Sequence, residues 1–315
     1  MQQAKPFIKW VGGKSQLLPQ LEKYLPKELH QGEIKRYIEP FVGGGALFFA
    51  TVQRFKISSA YLSDLNADLI LTYQVVQQQA ERLIERLDFY QKTYDSQTEA
   101  QRKALFLEVR KKFNEQRHLI STGDIKSDKQ VERAAQFIFL NKTCYNGLFR
   151  LNAKGEFNVP FGKYKRPAIC NPALILRASE CLQLAEIRHA DYKACRSWVN
   201  DASLVYFDPP YRPLSPTANF TTYTGHEFTD EQQKELAAFF RDLACRTKAK
   251  LMLSNSDPKN MDPDDHFFEQ LYAGFHLFRV AAGRAINSKG SKRGKISELL
   301  ITNYAYEPRS LEPHF

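Results

Sequence analysis

Cysteine is scarce in this sequence. Of 315 residues only Cys144, Cys170, Cys181, Cys195 and Cys245 are cysteines. Their number is odd and none stands in a Cys-x-x-Cys pair, which argues against a disulfide framework and a thiolate zinc site. The seven histidines form no His-x-x-x-His pair, so no metal is expected. Free thiols suit a reducing, cytoplasmic compartment. Long apolar runs are missing too. Gly45–Ala50 and Phe137–Leu140 fall far short of the roughly 20 residues of a membrane span. Met1–Phe7 has no apolar core, so a secretory signal is not expected.

What is present is globular material, 43% hydrophobic and 25% charged. Its length allows two domains, or one domain with an insertion. The net charge is +10, which raises the question of a polyanionic partner. Nine basic against five acidic side chains leave +4 in residues 1–65; 15 against 12 leave +3 in residues 66–162; 21 against 18 leave +3 in the rest. No segment is a basic tail. Two local clusters stand out, Lys163, Lys165, Arg166 and then Arg284, Lys289, Lys292, Arg293, Lys295. Beside glycine-rich loops they suit phosphate contact.

The chain up to Leu65 reads as an α/β unit. Arg36–Phe41 is a strand, Gly43–Gly45 a turn, Ala46–Phe55 a helix, and Ala60–Leu62 a second strand closed by Asp64. That order is one half of a nucleotide-binding β-α-β arrangement. From Ile70 to Arg117 the chain turns polar and helix-forming, with Leu83, Leu87 and Tyr90 at helical spacing. A loop over Ser121–Asp128 precedes a further helix, Val131–Leu140. Asn141–Gly162, with Asn146-Gly147 and Lys154-Gly155, reads as a hairpin with loops. After about Pro167 strands and helices alternate again. Leu204–Phe207, Lys250–Leu253 and Ser297–Tyr304 are strands, and Thr229–Gln232 is a capping box. The expected fold class is α/β, a doubly wound Rossmann-like sheet with an inserted, mostly helical domain.

Three motifs carry chemistry. In Phe41–Gly45 the glycines let backbone approach a ligand, and Asp64, closing the next strand, suits two ribose hydroxyls. Phe48 occupies the place of the third small residue of a dinucleotide fingerprint, which disfavours a pyrophosphate cofactor. Gly12-Gly13-Lys14-Ser15 is not a phosphate loop, because Ile8 stands where that motif needs glycine. Trp10 and Lys14 then read either as core and solvated side chains or as ligand contacts. Asp208-Pro209-Pro210-Tyr211 is the sharpest signal. Two prolines supply no N–H, so carbonyls and the Asp208 carboxylate form a cluster of acceptors beside an aromatic ring. Such a cluster holds both hydrogens of an exocyclic NH₂ while the ring stacks on Tyr211. Those bonds favour a pyramidal nitrogen with an exposed lone pair, ready for in-line alkylation.

Asp208–Tyr211, Phe41–Gly45 and Lys9–Lys14 resemble the hallmarks of Dam-type adenine-N6 DNA methyltransferases of the D12 class, group alpha. The resemblance runs from Lys5 to about Tyr304 and includes Asn141–Gly162 and Ala218–Tyr223. It implies S-adenosylmethionine as methyl donor, bound by Trp10, Lys14, Phe41, Gly43, Gly45, Asp64 and Asp208. Asp208, Pro209, Pro210 and Tyr211 would form the catalytic motif, with Tyr211 stacked on a flipped-out adenine. Residues 1–66 and 163–315 would be the catalytic domain and 67–162 the DNA target-recognition domain. The partner would be double-stranded DNA and the target GATC, in a monomeric, bacterial, nucleoid-associated protein.

The DNA-binding residues suit those roles chemically. Arg150 can make a bidentate contact to guanine, and Leu148 or Pro160 can meet a thymine methyl. Tyr145 suits a wedge in the base stack. Asn146 can pair an orphaned base, and Lys9 resembles a family lysine that reads guanine. Asn146-Gly147 also reads as an ordinary hairpin turn. Lys142 and Lys163 stand where close relatives often carry Arg; lacking the planar fork, they imply a looser, more salt-sensitive backbone grip. Thr143-Cys144 and Arg212 also depart from the family pattern. Two other readings compete: an amine methyltransferase acting on RNA or protein, and a catalytically dead DNA-binding module.

Overall fold

The structure is a computed structural model that describes residues 3–119, 122–212, 228–282 and 296–306. Two short helices, α1 (Leu18–Leu21) and α2 (Lys27–His30), lead into β1 (Arg36–Glu39), α3 (Ala46–Arg54) and β2 (Ser59–Asp64). The strand–glycine–helix–strand order read from the sequence up to Leu65 is therefore present. β1 and β2 pair in parallel, Arg36 opposite Ser59. Four helices follow: α4 (Ala67–Gln78), α5 (Ala80–Asp95), α6 (Glu99–Glu115) and α7 (Asp128–Thr143). The rest contributes α8 (Pro172–Leu182), β3 (Ala185–His189), β4 (Ser203–Phe207), α9 (Asp230–Arg246), β5 (Lys250–Ser256), α10 (Phe267–Leu271), β6 (His276–Ala282) and β7 (Ile296–Thr302).

The sheet order is β3-β2-β1-β4-β5-β7-β6. The first five strands run parallel, and β7 runs antiparallel between β5 and β6. β4 is buried over its full length, as expected for a central parallel strand covered on both faces. Alternation divides its side chains. Leu204 and Tyr206 join the core shared with α4, α5, α7 and α8. Val205 and Phe207 face Leu236, Phe240 and Leu243 of α9 and Phe268 of α10. The strand order reverses between β1 and β4, and in such sheets the crevice outside the carboxyl ends at that point receives ligands. The Gly43–Gly45 loop leaves β1 there, and Asp208–Tyr211 leaves β4.

The helical layer is tied to the sheet layer. The change of texture near Ala67 marks a helix common to both: α4 packs on β2, β3 and α8 as well as on α7, and Leu69–Val76 is buried throughout. α6 and α7 each begin with a full capping box, Thr98 with Gln101 and Ser127 with Gln130. Arg133 of α7 is 3% exposed. Its guanidinium forms a fork on Asp68 of α4 at 2.6 and 3.2 Å, donates to the Phe113 carbonyl of α6 at 2.8 Å, and lies 4.1 Å over the Phe113 ring. One buried guanidinium bonded to both α4 and α6 ties the three helices to one another.

The segment read as a hairpin has antiparallel bridges at Cys144–Phe161 and Leu151–Phe157. Its first residues, Asn141–Thr143, are still the last turn of α7. Asn152 closes the tip: its side-chain oxygen accepts the N–H groups of Lys154 and Glu156, both at 2.9 Å.

Candidate active site and nucleic-acid interface

Asp208 follows the last residue of β4, and Lys14 reaches it from the N-terminal segment. The turn Trp10–Gly13, closed by Gly13 N–H to Trp10 O at 3.0 Å, brings Lys14 inward. Lys14 is buried, 4% exposed. Its ammonium lies 2.6 Å from Asp208 Oδ1 and 2.8 Å from Oδ2, donates to Gly12 O at 2.8 Å, and sits 4.7 Å over the Tyr211 ring. The reading of Lys14 as a solvated side chain is thereby excluded. Burial pushes the Asp208 carboxyl up to about 6; Lys14 opposes that and the negative charge of Glu298 adds to it. A carboxylate has about four lone-pair sites, so the ion pair leaves acceptor capacity on Asp208.

The acceptor cluster is smaller than the motif suggests. Pro210 O already accepts from Gln233 Nε2 at 3.2 Å, and Gln233 is in turn held by Asn255 Nδ2 at 3.1 Å. Among the described residues no hydrogen bond reaches Pro209 O. Among the described residues, Asp208 and Pro209 O are thus the acceptors with capacity left. The Tyr211 hydroxyl donates to Glu298 Oε2 on β7.

The glycine loop meets the same crevice. Gly43 N–H donates to Asp64 Oδ2 at 3.1 Å and Asn66 N–H to Oδ1 at 2.9 Å, so Asp64 braces the loop. Burial raises the Asp64 carboxyl above its ordinary range against those two bonds. Gly43 and Gly45 have φ +45° and +66°, in the left-handed region. A Cβ at Gly43 would stand 2.7 Å from the Trp10 ring, and one at Gly45 2.7 Å from the Tyr73 hydroxyl. Tyr73 itself donates to Gly43 O at 3.0 Å. Phe41 stacks on Tyr192 at 5.4 Å. Under the loop lies Glu39, 2% exposed, accepting from the Tyr37 hydroxyl at 2.8 Å. Burial holds its carboxyl well above the usual range, and Asp208 adds to that. Glu39 and Glu298 carry no local motif and emerge only from the fold.

The N-terminal segment also joins the hairpin. Lys9 N–H donates to Asn141 Oδ1 at 2.8 Å, and Asn141 Nδ2 donates to Lys9 O at 2.7 Å and Gly147 O at 3.0 Å. Trp10 stacks on Phe149 at 6.1 Å, so the aromatic is shared between loop and hairpin. The Lys9 side chain is exposed, with its ammonium 4.6 Å over the Tyr164 ring. Tyr145 is 54% exposed, and its N–H donates to Pro160 O at 2.9 Å. Asn146 has φ +54°, and its N–H donates to the Tyr164 hydroxyl at 3.1 Å. A Cβ at Gly147 would stand 2.5 Å from Lys9 Cδ. Arg150 and Pro160 are exposed while Leu148 is half-buried on the core. Arg150 Nε donates to Asn158 Oδ1 at 2.8 Å.

Half-buried Lys142 lies in the last turn of α7; burial foremost, then Lys9, pushes its ammonium down to about 8. Lys163, Lys165 and Arg166 are exposed at the foot of the hairpin. The second basic cluster and Ala218–Tyr223 lie outside the described residues. Arg212 is described: it forms a fork on Asp230, at 2.7 and 3.0 Å, and pairs with Asp265 at 2.6 Å.

Comparison with known proteins agrees with this geometry. Residues 10–286 match the family model of the D12 class N6 adenine-specific DNA methyltransferases. The chain is 48% identical over 304 residues to the type II methyltransferase M.MjaIII of Methanocaldococcus jannaschii, covering 96% of this chain and 100% of that protein. It is 35% identical over 302 residues to the type II methyltransferase M1.LlaDCHI of Lactococcus lactis subsp. cremoris, 95% of each chain. It is 35% identical over 315 residues to the DNA adenine methylase of Escherichia coli (strain K12), 99% of each. These relatives come from an archaeon and from bacteria, so the resemblance does not confine the chain to bacteria. A tight glycine loop, an acid at the end of β2 and a second at the end of β4 fit S-adenosylmethionine, the family's donor. The chain belongs to the D12 class of N6 adenine-specific DNA methyltransferases.

Proposed function

We propose that the chain methylates adenine N6 within GATC in duplex DNA, taking the target base out of the stack. The observation that carries the chemistry is the cluster Lys14–Asp208–Tyr211 at the carboxyl end of β4, beside the Gly43–Gly45 loop and Asp64. S-adenosylmethionine supplies an electrophilic methyl group when bound. Trp10, Lys14, Phe41, Gly43, Gly45, Asp64 and Asp208 would hold it, with the Trp10 ring packed close against Gly43. Asp208 and Pro209 O would accept the two hydrogens of the adenine amine, localising its lone pair. Tyr211 would stack on the ring and Lys14 would hold the Asp208 carboxylate in place. Much of the rate then comes from position and local electrostatics.

Target choice belongs to residues 67–162 in this reading. Arg150 would read a guanine, Leu148 or Pro160 a thymine methyl, and Lys9 a second guanine. Tyr145 would fill the gap left by the base and Asn146 would meet its orphaned partner. The exposure of Tyr145, Arg150 and Pro160 along one hairpin supports this. GATC itself rests on the resemblance over Asn141–Gly162. The test is methyl transfer to plasmid DNA followed by mapping of the modified base and its flanks. N6-methyladenine confined to GATC is expected. Modification at another sequence would overturn the target, and incorporation into RNA or protein instead of DNA would overturn the substrate.

A further inference from the structure

The catalytic motif ends in an aromatic ring that is held from three sides, one of them by a residue no motif announces. Tyr211 receives the Lys14 ammonium at 4.7 Å over its face. Arg212, the next residue, has its N–H on Asn255 Oδ1 at 3.3 Å and its carbonyl on Ser256 Oγ at 3.0 Å, both at the end of β5. The hydroxyl of Tyr211 donates to Glu298 Oε2. Glu298 lies on β7, between Ser256 of β5 and Val280 of β6 in the ladder, so its backbone cannot shift without breaking both pairings. A phenol tethered to a strand paired on both sides has its oxygen held, so the ring cannot swing about its first torsion; an untethered one can.

We propose that Glu298 is a positioning residue for methyl transfer, holding the Tyr211 ring in place through the phenol hydrogen bond and setting the charge beside the Lys14–Asp208 pair. The inference rests on the reading of Tyr211 as the platform for the target adenine. Asp208 is faced by Lys14 from the N-terminal segment, Glu39 from β1, Tyr206 from β4, the Tyr211 ring and Glu298 from β7. Of these, Glu298 is a carboxylate whose charge raises Asp208 from across the Tyr211 ring. It therefore acts twice, through geometry and through charge, and the two actions separate by substitution.

Glu298→Gln keeps an acceptor for the phenol and removes the charge. Its acid limb of kcat should move to lower pH, while KM for a duplex oligonucleotide stays the same. Glu298→Ala removes both, and kcat should fall about 10- to 100-fold, the scale of a small misplacement of a reacting group. Tyr211→Phe, which cuts the same hydrogen bond from the other side, should lower kcat similarly. The Tyr211→Phe/Glu298→Ala double variant should then be little worse than either single one, because the two act as a unit. Additive losses, or a wild-type pH profile in Glu298→Gln, overturn the proposal. Should Glu298→Ala fail to fold, Glu298→Gln and Tyr211→Phe decide by themselves. The underlying reading fails separately: it falls if the Asp208→Ala protein still methylates adenine.

Discussion

The pocket at the end of β4 and the hairpin at 144–161 are assembled by opposite means. The pocket draws Lys14, Asp64, Asp208 and Glu298 from four distant stretches of chain: Lys14 pairs with Asp208, Glu298 holds Tyr211, and Asp64 braces the glycine loop through Gly43 N–H. The hairpin is one contiguous stretch, and helix α6 holds it by its backbone. Asn114 exchanges two hydrogen bonds with Phe157: its Nδ2 donates to Phe157 O at 3.1 Å, and Phe157 N–H donates to its Oδ1 at 2.8 Å. Arg110 donates to Val159 O. Of the outward side chains, Arg150 is steered by Asn158, while Tyr145 stays largely exposed. The chemistry is thus cross-linked through side chains, whereas the hairpin, the surface proposed to meet DNA, is held by its backbone with side chains left to find partners. The N-terminal segment links the two: Lys9 pairs with Asn141 at the hairpin, and Lys14 pairs with Asp208 in the pocket.

The comparison can be broken first in the pocket. Asp208→Ala should reduce methyl transfer by at least about 10²–10³ in kcat with DNA affinity largely kept, read by tritiated methyl incorporation and a binding assay. Equal losses of binding and turnover would merge the two regions into one. The pH dependence follows with a clear sign. Asp208 is raised to about 6, so below that pH it gains a proton and loses acceptor capacity. Turnover should fall about tenfold per unit there. Lys14 lowers the Asp208 carboxyl; Lys14→Met should therefore move the acid limb to higher pH, opposite to Glu298→Gln.

Smaller effects belong to the hairpin. Arg150→Ala should cost about 1–3 kcal/mol of discrimination at one base pair, seen as kcat/KM ratios across single-substituted sites, with the rate on the best site nearly retained. Asn114→Ala strips both hydrogen bonds from Phe157 and should lower stability by about 1–2 kcal/mol, measured by denaturant unfolding, while relaxing discrimination without shifting the pH profile. Smallest is the backbone grip. Lys142→Ala should reduce the salt slope of DNA binding by about one and leave sequence preference alone.

Much of this was legible. Strand–glycine–helix–strand–acid read correctly up to Asp64 because each piece has its own local signal. So did Thr229–Gln232 as a helix start, since a capping box is a purely local event. β3 and β6 were not individually legible. Ala185–His189 lies at the sheet edge with its last two residues exposed, and its apolar pattern is too short to separate from helix. Arg133, a buried arginine, looks in sequence like any other charge on a polar helix. Its partner Asp68 is 65 residues away.

The sequence alone determined which chemistry was available: an acceptor-rich motif at Asp208–Tyr211, a glycine turn followed by an acid, and an Asn-Gly hairpin. Tertiary structure alone decided how it is tuned. Lys14 meets Asp208 across 194 residues, and Tyr211 meets Glu298 across 87. The first follows from the Trp10–Gly13 turn that brings the N-terminal segment to the end of β4, the second from β7 lying beside β5, the neighbour of β4. Periodicity says which face of a strand is apolar; it does not say which strand lies next to it.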